Sequence, residues 1–508
     1  MSCIKGLNRK GSITILGCLT MFLVGQVLCV LLEASRMAEL HKVGNLEVAE
    51  LLESAFASYN APLWQEFRLL AWDETAVDLD EMGAQMTDMY ADTSGTNMLR
   101  ANMLDGGEIK RLLMTDQNGR IYEKAVTCYM KENWVAEIVD RYREDYDHIS
   151  KLEEESQGSM DYYLAQVREA LQILSDVGKD KGGGHSIQYI PDGSSRITNC
   201  ATEEDQEKIN SFGNPLSMME STFKNGISGF IITDATTISA NKLSKDQLLS
   251  NRSLRKGNLE SEDSLQIMDR FLFLEYMFGR FGNYREDKEN RPLLYEWEYL
   301  INGFPDDRSN LNAVIAELLV IREAANLTSL YKDAQKTNEI KLYSNALALL
   351  IGQPEVEPVF RIAMMIAWAY AESILDLRSL FEGEQIPLFK TSSEWTTAEF
   401  LISPAYFLSG EKAKECNHGM KYEDYLKAIL FGVSDEKLSF RAMDLQEQTI
   451  RRMEGYENFR MDNLVCAVEL TKDFEAEFMF LPLVEVVKGK AKGCKFSCRE
   501  TYSFLEKK

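Results

Sequence analysis

The chain has 508 residues, 45% of them hydrophobic, and a formal charge of −24. That length can bury a sizeable core, while the acidic balance excludes nucleic acid as a partner, because phosphate backbones are held by basic patches through counterion release. The nine cysteines are scattered, and the one close pair, Cys494 and Cys498, makes neither a zinc motif nor a disulfide framework.

Residues 1–12 form a basic tail carrying Lys5, Arg9 and Lys10. Residues 13–32 then run without a single charge. A helix of that length covers about 30 Å, the hydrocarbon thickness of a bilayer, so the sequence predicts a transmembrane span embedded in lipid. Secretory h-regions are shorter and end at a small-x-small site; this run ends in Glu33, Ala34, Ser35 and Arg36, which reads as an uncleaved anchor. With Lys5, Arg9 and Lys10 ahead of the span as topology-determining residues, the positive-inside rule puts the N-terminus in the cytoplasm. The C-terminal head then lies outside, on a single-pass protein of the cell membrane.

Apolar residues continue at helical intervals (Met37, Leu40, Leu46, Leu51, Leu52, Ala55, Phe56, Tyr59) until the first proline, Pro62, so residues 33–60 are expected to extend the helix, with Gly44 a possible bend. A helix apolar all round below and amphipathic above has the outline of a pilin spine. Glu33 and Arg36 stand at the outer membrane edge. They are the candidate contacts to neighbouring helices.

Residues 61–508 are expected to form one α+β head, mainly helical with a small antiparallel sheet. A strand is predicted near Leu112 to Met114, and helices near Ala125 to Arg143 and Met160 to Val177. Residues 179–196, with Gly182, Gly183, Gly184, Pro191 and Gly193, read as a flexible loop; without a following Lys-Ser/Thr pair the glycines make no phosphate cradle. An aromatic helix is expected from Ser264 to Phe281. From Leu294 to Leu300, Tyr295, Trp297 and Tyr299 alternate with Glu296 and Glu298, which predicts a half-buried strand. Leu311, Val314, Ile315, Leu318 and Leu319 mark a helix whose wet face takes Glu317, Arg322 and Glu323. A hydrophobic helix follows from Val359 to Phe381, capped by Gly383 and too short in its uncharged part to span a membrane. Helices near Tyr422 to Phe431 and Lys437 to Met453 precede a hairpin of Leu464 to Leu470 and Phe474 to Phe480 about a turn at Thr471, Lys472 and Asp473. Lys488, Lys490, Lys492 and Lys495 then form a solvated basic turn.

Catalytic patterns are weak. Ser221/Lys224, then Tyr343, Ser344 and Asn345, then Lys390, Thr391 and Ser392 stand in the order of a penicillin-binding serine enzyme. SxxK recurs at Ser253/Lys256, Ser329/Lys332 and Ser434/Lys437, however, so its presence carries little weight, and Ser392 replaces the glycine that would admit substrate to a strand edge. His41, His148, His185 and His418 are far apart in sequence and make no metal motif. Glu372 and Asp376, at i and i+4, read as a polar seam paired with Arg378 or a neighbour rather than as an acid–base pair. No catalytic, cofactor-binding or metal residue is assigned, and a non-enzymatic protein is expected.

The start of the chain, Arg9, Lys10, Gly11, Ser12, Ile13, Thr14 and Ile15, with Glu33, Ala34, Ser35 and Arg36 after the span, resembles TadG-like proteins of tight-adherence (Flp-type) pilus systems. The stretches LYEWEYLING (294–303), 311–323, AWAYAESILDLRSL (367–380), 422–430 and RAMDLQEQ (441–448) resemble an uncharacterised Gram-positive family of unknown function encoded near such pilus genes. The resemblance implies an anchored envelope protein acting in pilus assembly or as a minor, pseudopilin-like component. Leu16 stands five residues after Gly11, where a prepilin peptidase site would have Glu, which speaks for an anchored factor over a polymerised subunit. The alternatives are an extracytoplasmic binding or sensing ectodomain acting through a membrane partner, and the serine cell-wall enzyme.

Overall fold

The computed structural model describes residues 9–76, 79, 81–85, 99, 101–104, 106–133, 165, 168–170, 172–173, 187–189, 195–197, 231–232, 238–260, 267–350, 352–397, 412–480 and 494–505. The protein is α+β, with a small antiparallel sheet and a long N-terminal helix. Its chain divides into two compact units, the first from Met1–Glu132, Ser253–Leu265 and Asn458–Lys508, the second from Asn133–Arg252 and Gln266–Glu457. The division follows long-range pairing rather than chain order: the N-terminal helix belongs with the C-terminal strands.

In the first unit, helix α1 (Arg9–Ala57) is continuous through the predicted span and its extension. Helix α2 (Ala61–Phe67) starts at Asn60, whose Oδ1 accepts from the Leu63 amide at 3.0 Å, with Pro62 in the first turn. The sheet is built around one strand, β6 (Leu464–Ala476). On one side it pairs with β7 (Cys494–Ser503), from Ala467↔Ser503 to Ala476↔Cys494. Beyond β7 on the same side it pairs with β1 (Trp72–Asp73), and on the other side it takes in turn β3 (Glu108–Leu113) and β2 (Asn102–Met103), all antiparallel. Helix α3 (Arg120–Asn133) follows β3. The segment after Ser253 joins this unit through the Gly257 amide, which donates to Asp116, and through Asn258, whose Oδ1 accepts from the Arg111 amide.

The core of this unit lies between the upper half of α1 and the inner face of the sheet. Leu40, Val48, Leu51, Leu52, Ala55 and Phe56 meet Val468, Leu470, Phe474, Phe496 and Cys498, all buried. Gly44 does not bend the helix; it lets helix and sheet touch. A Cβ there would lie 2.6 Å from the Cys498 Sγ and 3.3 Å from the Phe496 ring, closer than van der Waals contact allows. Gly44→Leu is therefore expected to weaken docking of α1 by the upper end of the about 1–3 kcal/mol typical of overpacking. Faster amide exchange in β7 would register it, and unchanged exchange would show that the contact is soft.

The expected hairpin at Thr471, Lys472 and Asp473 is not formed. Alternation runs unbroken through all three, with Lys472 inward beside Phe474 and Asp473 outward, accepting from the Ser497 hydroxyl at 2.6 Å. No glycine or Asn-Gly pair reverses the chain there, and pairing on both sides holds it extended. Lys488, Lys490 and Lys492 lie outside the described residues; Lys495 is on β7.

The second unit is helical apart from a two-stranded pair, β4 (Ile187–Tyr189) with β5 (Ser195–Ile197), which occupies part of the stretch expected to be a loop. Its helices are α4 (Ile267–Arg280), α5 (Glu296–Asn302), α6 (Asp307–Lys332), α7 (Ala334–Leu350), α8 (Glu357–Glu382), α9 (Tyr422–Gly432) and α10 (Asp435–Ile450). Asp306 caps α6, accepting from the Ser309 amide at 2.8 Å, and Gly383 closes α8 at φ 95° as its position predicted. Helix α8 is the core: it packs against α6 and α7, and its apolar stretch is mostly buried inside the unit. Most of the expected helix from Met160 to Val177, and residues 179–186, lie outside the described residues.

The predicted strand at Leu294 to Leu300 is the short helix α5. Its period of two is real in sequence but has another cause, because every face of this helix is buried. Trp297 donates its indole N–H to the Phe281 carbonyl, Glu296 accepts from the Gly282 amide, and Glu298 accepts from the Tyr284 amide and the Tyr422 hydroxyl. The carboxylates are thus not an outer face.

Candidate functional site

Two features are candidates for function, one in each unit. The first is the lower half of α1. Ile15, Phe22, Leu28 and Leu32 are each more than half exposed, and no residue from Thr14 to Leu32 is buried, so an apolar cylinder stands bare. Thr20 turns its hydroxyl back to the Gly17 carbonyl at 2.9 Å, which satisfies its proton within the helix. A helix this long and apolar fits association with a lipid bilayer. Arg9 and Lys10 open the helix, while Lys5 lies outside the described residues.

Glu33 and Arg36, singled out as membrane-edge contacts, are placed inside the first unit. Both side chains are almost fully buried and lie 3.6 Å apart. The Glu33 Oε2 accepts from the backbone amides of Met479 at 3.1 Å and Phe480 at 2.7 Å, and Arg36 donates to the Glu477 carbonyl. Their hydrogen bonds thus tie the helix to the chain that leaves β6. Their polar groups are engaged within this unit rather than projected outward.

The second feature is an ion network at the centre of the second unit. The Lys390 ammonium sits 2.5 Å from both Glu372 Oε1 and Asp376 Oδ1. Arg322 donates to Asp376 at 2.7 Å, to the Tyr425 hydroxyl, to the carbonyls of Pro387 and Leu388, and to Asn326. Asn326 donates in turn to Ser373 and Asp376, and Glu372 accepts from the amides of Thr396 and Thr397 and from the Thr397 hydroxyl. Two cations balance two carboxylates. Burial opposes the charge on Asp376, but Lys390 and Arg322 outweigh it and hold that carboxyl below its ordinary range. Burial likewise opposes the Lys390 charge, and Asp376 and Glu372 more than offset it.

The expected polar seam, foreseen as paired with Arg378 or a neighbour, is present with Arg322 and Lys390 as partners. Arg322 and Glu323, expected on the wet face of α6, are both buried, the first paired and the second not. Glu323 is 1% exposed and neither carboxylate oxygen has a hydrogen-bond partner among the described residues, so burial pushes its carboxyl up to about 8. Burial also raises Glu296, Glu298 and Asp444 to about 7 despite the hydrogen bonds each accepts.

The serine-enzyme residues do not converge within the described residues. Ser221 and Lys224 lie outside them; the Ser344 hydroxyl donates to Glu357 at 2.8 Å; and Lys390 is enclosed in the ion network while Thr391 and Ser392 are exposed. Among the described residues no group of His, Cys, Asp or Glu is arranged to hold a metal ion, and Cys18, Cys29, Cys128, Cys416, Cys466, Cys494 and Cys498 are free thiols.

Residues 203–476, just over half of the chain, match a family of unknown function, DUF5702. The match covers α4 to α10 and ends with β6. Its description names neither a pilus nor a host group. No curated protein and no solved structure matches the chain.

Proposed function

The chain belongs to DUF5702, a family of unknown function, and we propose that it is a non-enzymatic, membrane-anchored protein of the cell envelope that acts in assembly, or as a minor component, of a tight-adherence type pilus. The observation that carries the reading is the division of α1: bare and apolar on every face to Leu32, then packed on an antiparallel sheet from Leu40 to Phe56. That division supports a pilin-like outline, in which one helix serves first the membrane and then the head. The TadG-like residues at the start of the chain point to the same systems. Lys5, Arg9 and Lys10 favour a cytoplasmic N-terminus and a head outside the cell membrane.

The test is co-purification from native membranes through a C-terminal tag, with protease shaving of intact cells to report the side on which the tag lies. Recovery of pilin, pilus ATPase or platform proteins together with an accessible tag is the expected result. A tag protected inside the cell would refute the orientation. An accessible tag with no pilus protein recovered would refute the pilus reading and favour a sensing ectodomain that works through another membrane partner.

A further inference from the structure

Where the apolar half of α1 ends, a second apolar element is fastened to it. Leu31 and Leu32 are the last exposed residues of the span, at 59% and 52%, and the next residue, Glu33, holds the amides of Met479 and Phe480. The sheet end defined by Ala476↔Cys494 is the one nearest the span, since the Phe496 ring packs at a tilt against His41 while Tyr502 meets Phe56 farther up the helix. Glu477 to Phe480 therefore leave β6 toward the membrane. Arg36 fixes the first of them through the Glu477 carbonyl, and Met479 is 45% exposed between two part-exposed phenylalanines.

We propose that residues 478–480 are a second membrane-contact element, a wedge of Phe478, Met479 and Phe480 seated in the bilayer interface and locked to the span by Glu33 and Arg36. The proposal rests on α1 being a bilayer span. Its occupant is lipid because the wedge continues the apolar surface that ends at Leu32, one helical residue, about 1.5 Å of rise, before its own anchor point. The chemistry is suited to that depth. Backbone amides without partners are costly at the edge of hydrocarbon, and Glu33 satisfies two of them; its carboxylate, which would itself be costly there, is covered by the loop it holds. Aromatic side chains are favoured at the interface, where ring and headgroup meet. An anchor with two points of contact also fixes the rotation of α1 about its own axis, which a bare helix leaves free.

Tryptophan depth measurements test this on the full-length chain in phosphatidylcholine vesicles brominated near the headgroup, for positions 479 and 59, or deep in the acyl chains, for position 24. Val24→Trp, Met479→Trp and Tyr59→Trp are compared with the unsubstituted protein, so that native tryptophans are subtracted. Quenching of Val24→Trp reports the span itself. The expected result is that the added emission at 479 falls about twofold on bromination while that at 59 does not. Addition of Glu33→Ala should abolish most of the quenching at 479 and leave that at 24. Quenching at 24 without quenching at 479 overturns the wedge but leaves the anchor; no quenching at 24 overturns both; quenching at 479 that Glu33→Ala leaves unchanged overturns the lock.

Discussion

Lys390→Met is expected to destabilise the second unit by about 3–5 kcal/mol, the cost of stranding buried charge when one partner of an ion pair is removed. The ammonium is the sole cation on Glu372 in this network, and it shares Asp376 with Arg322. Removing it leaves two carboxylates fully inside the unit, Asp376 still paired with Arg322 and Glu372 with no closer cation among the described residues than Lys336, which binds the Thr397 carbonyl. Adding Glu372→Gln to Lys390→Met should recover part of the loss, because the count of charges on Asp376 and Arg322 is balanced again and the amide oxygen can still accept from the Thr397 amide and hydroxyl. Amide exchange along α6 and α8 in the detergent-solubilised full-length chain is the measurement. A loss under about 1 kcal/mol would mean that water reaches the network in solution.

Glu323→Leu is expected to act in the opposite direction and to depend on pH. The carboxyl stands at about 8 in the folded chain against an ordinary value of 4.5, so the folded state keeps a proton that the unfolded state releases between those values. Stability from this group is fully present below about pH 4.5 and is lost as pH rises through about 8. The leucine variant lacks that loss and should gain roughly 2–4 kcal/mol over the parent at pH 9, with little difference at pH 5. Glu296, Glu298 and Asp444 share the direction of Glu323, so the parent's second unit should weaken from about pH 5 to pH 9. Asp376 runs the other way: its contribution is present above its ordinary value of 3.8 and lost only as pH falls below it. Exchange protection in α6 at the two pH values checks the sign. Equal protection in both proteins at pH 9 would show that Glu323 has found a partner.

The long apolar helix α1 was legible because it is a one-dimensional signal: length without charge, then helical spacing to the first proline. Helices α6, α8, α9 and α10 were legible for the same reason, and Gly383 marked its helix end by conformation alone. What escaped is decided by neighbours distant in the chain. Arg322 reads as wet on a helical wheel because its counter-ion comes from Asp376 and its other acceptors from residues 387 and 388, none of which a local pattern contains. Glu296 and Glu298 mimic the polar face of a strand, although amides and a hydroxyl from beyond α5 satisfy them. The single strand β6 was read as two because Lys472 and Asp473 look like a turn until partners on both sides hold them extended. For Glu33 and Arg36, their place at the end of the span was legible, but not the residues 477–480 that they hold.

The sheet places β6 and β7 against a helix more than four hundred residues earlier in the chain. During synthesis α1 emerges long before β6 and β7, so its amphipathic upper half, with Leu40, Val48, Leu52 and Phe56, has none of that sheet to cover it. The helices from residue 267 to 450 find their pairings among themselves and have no such wait. A nascent chain released before residue 464 would thus present the upper half of α1 with its apolar stripe uncovered by β6 and β7.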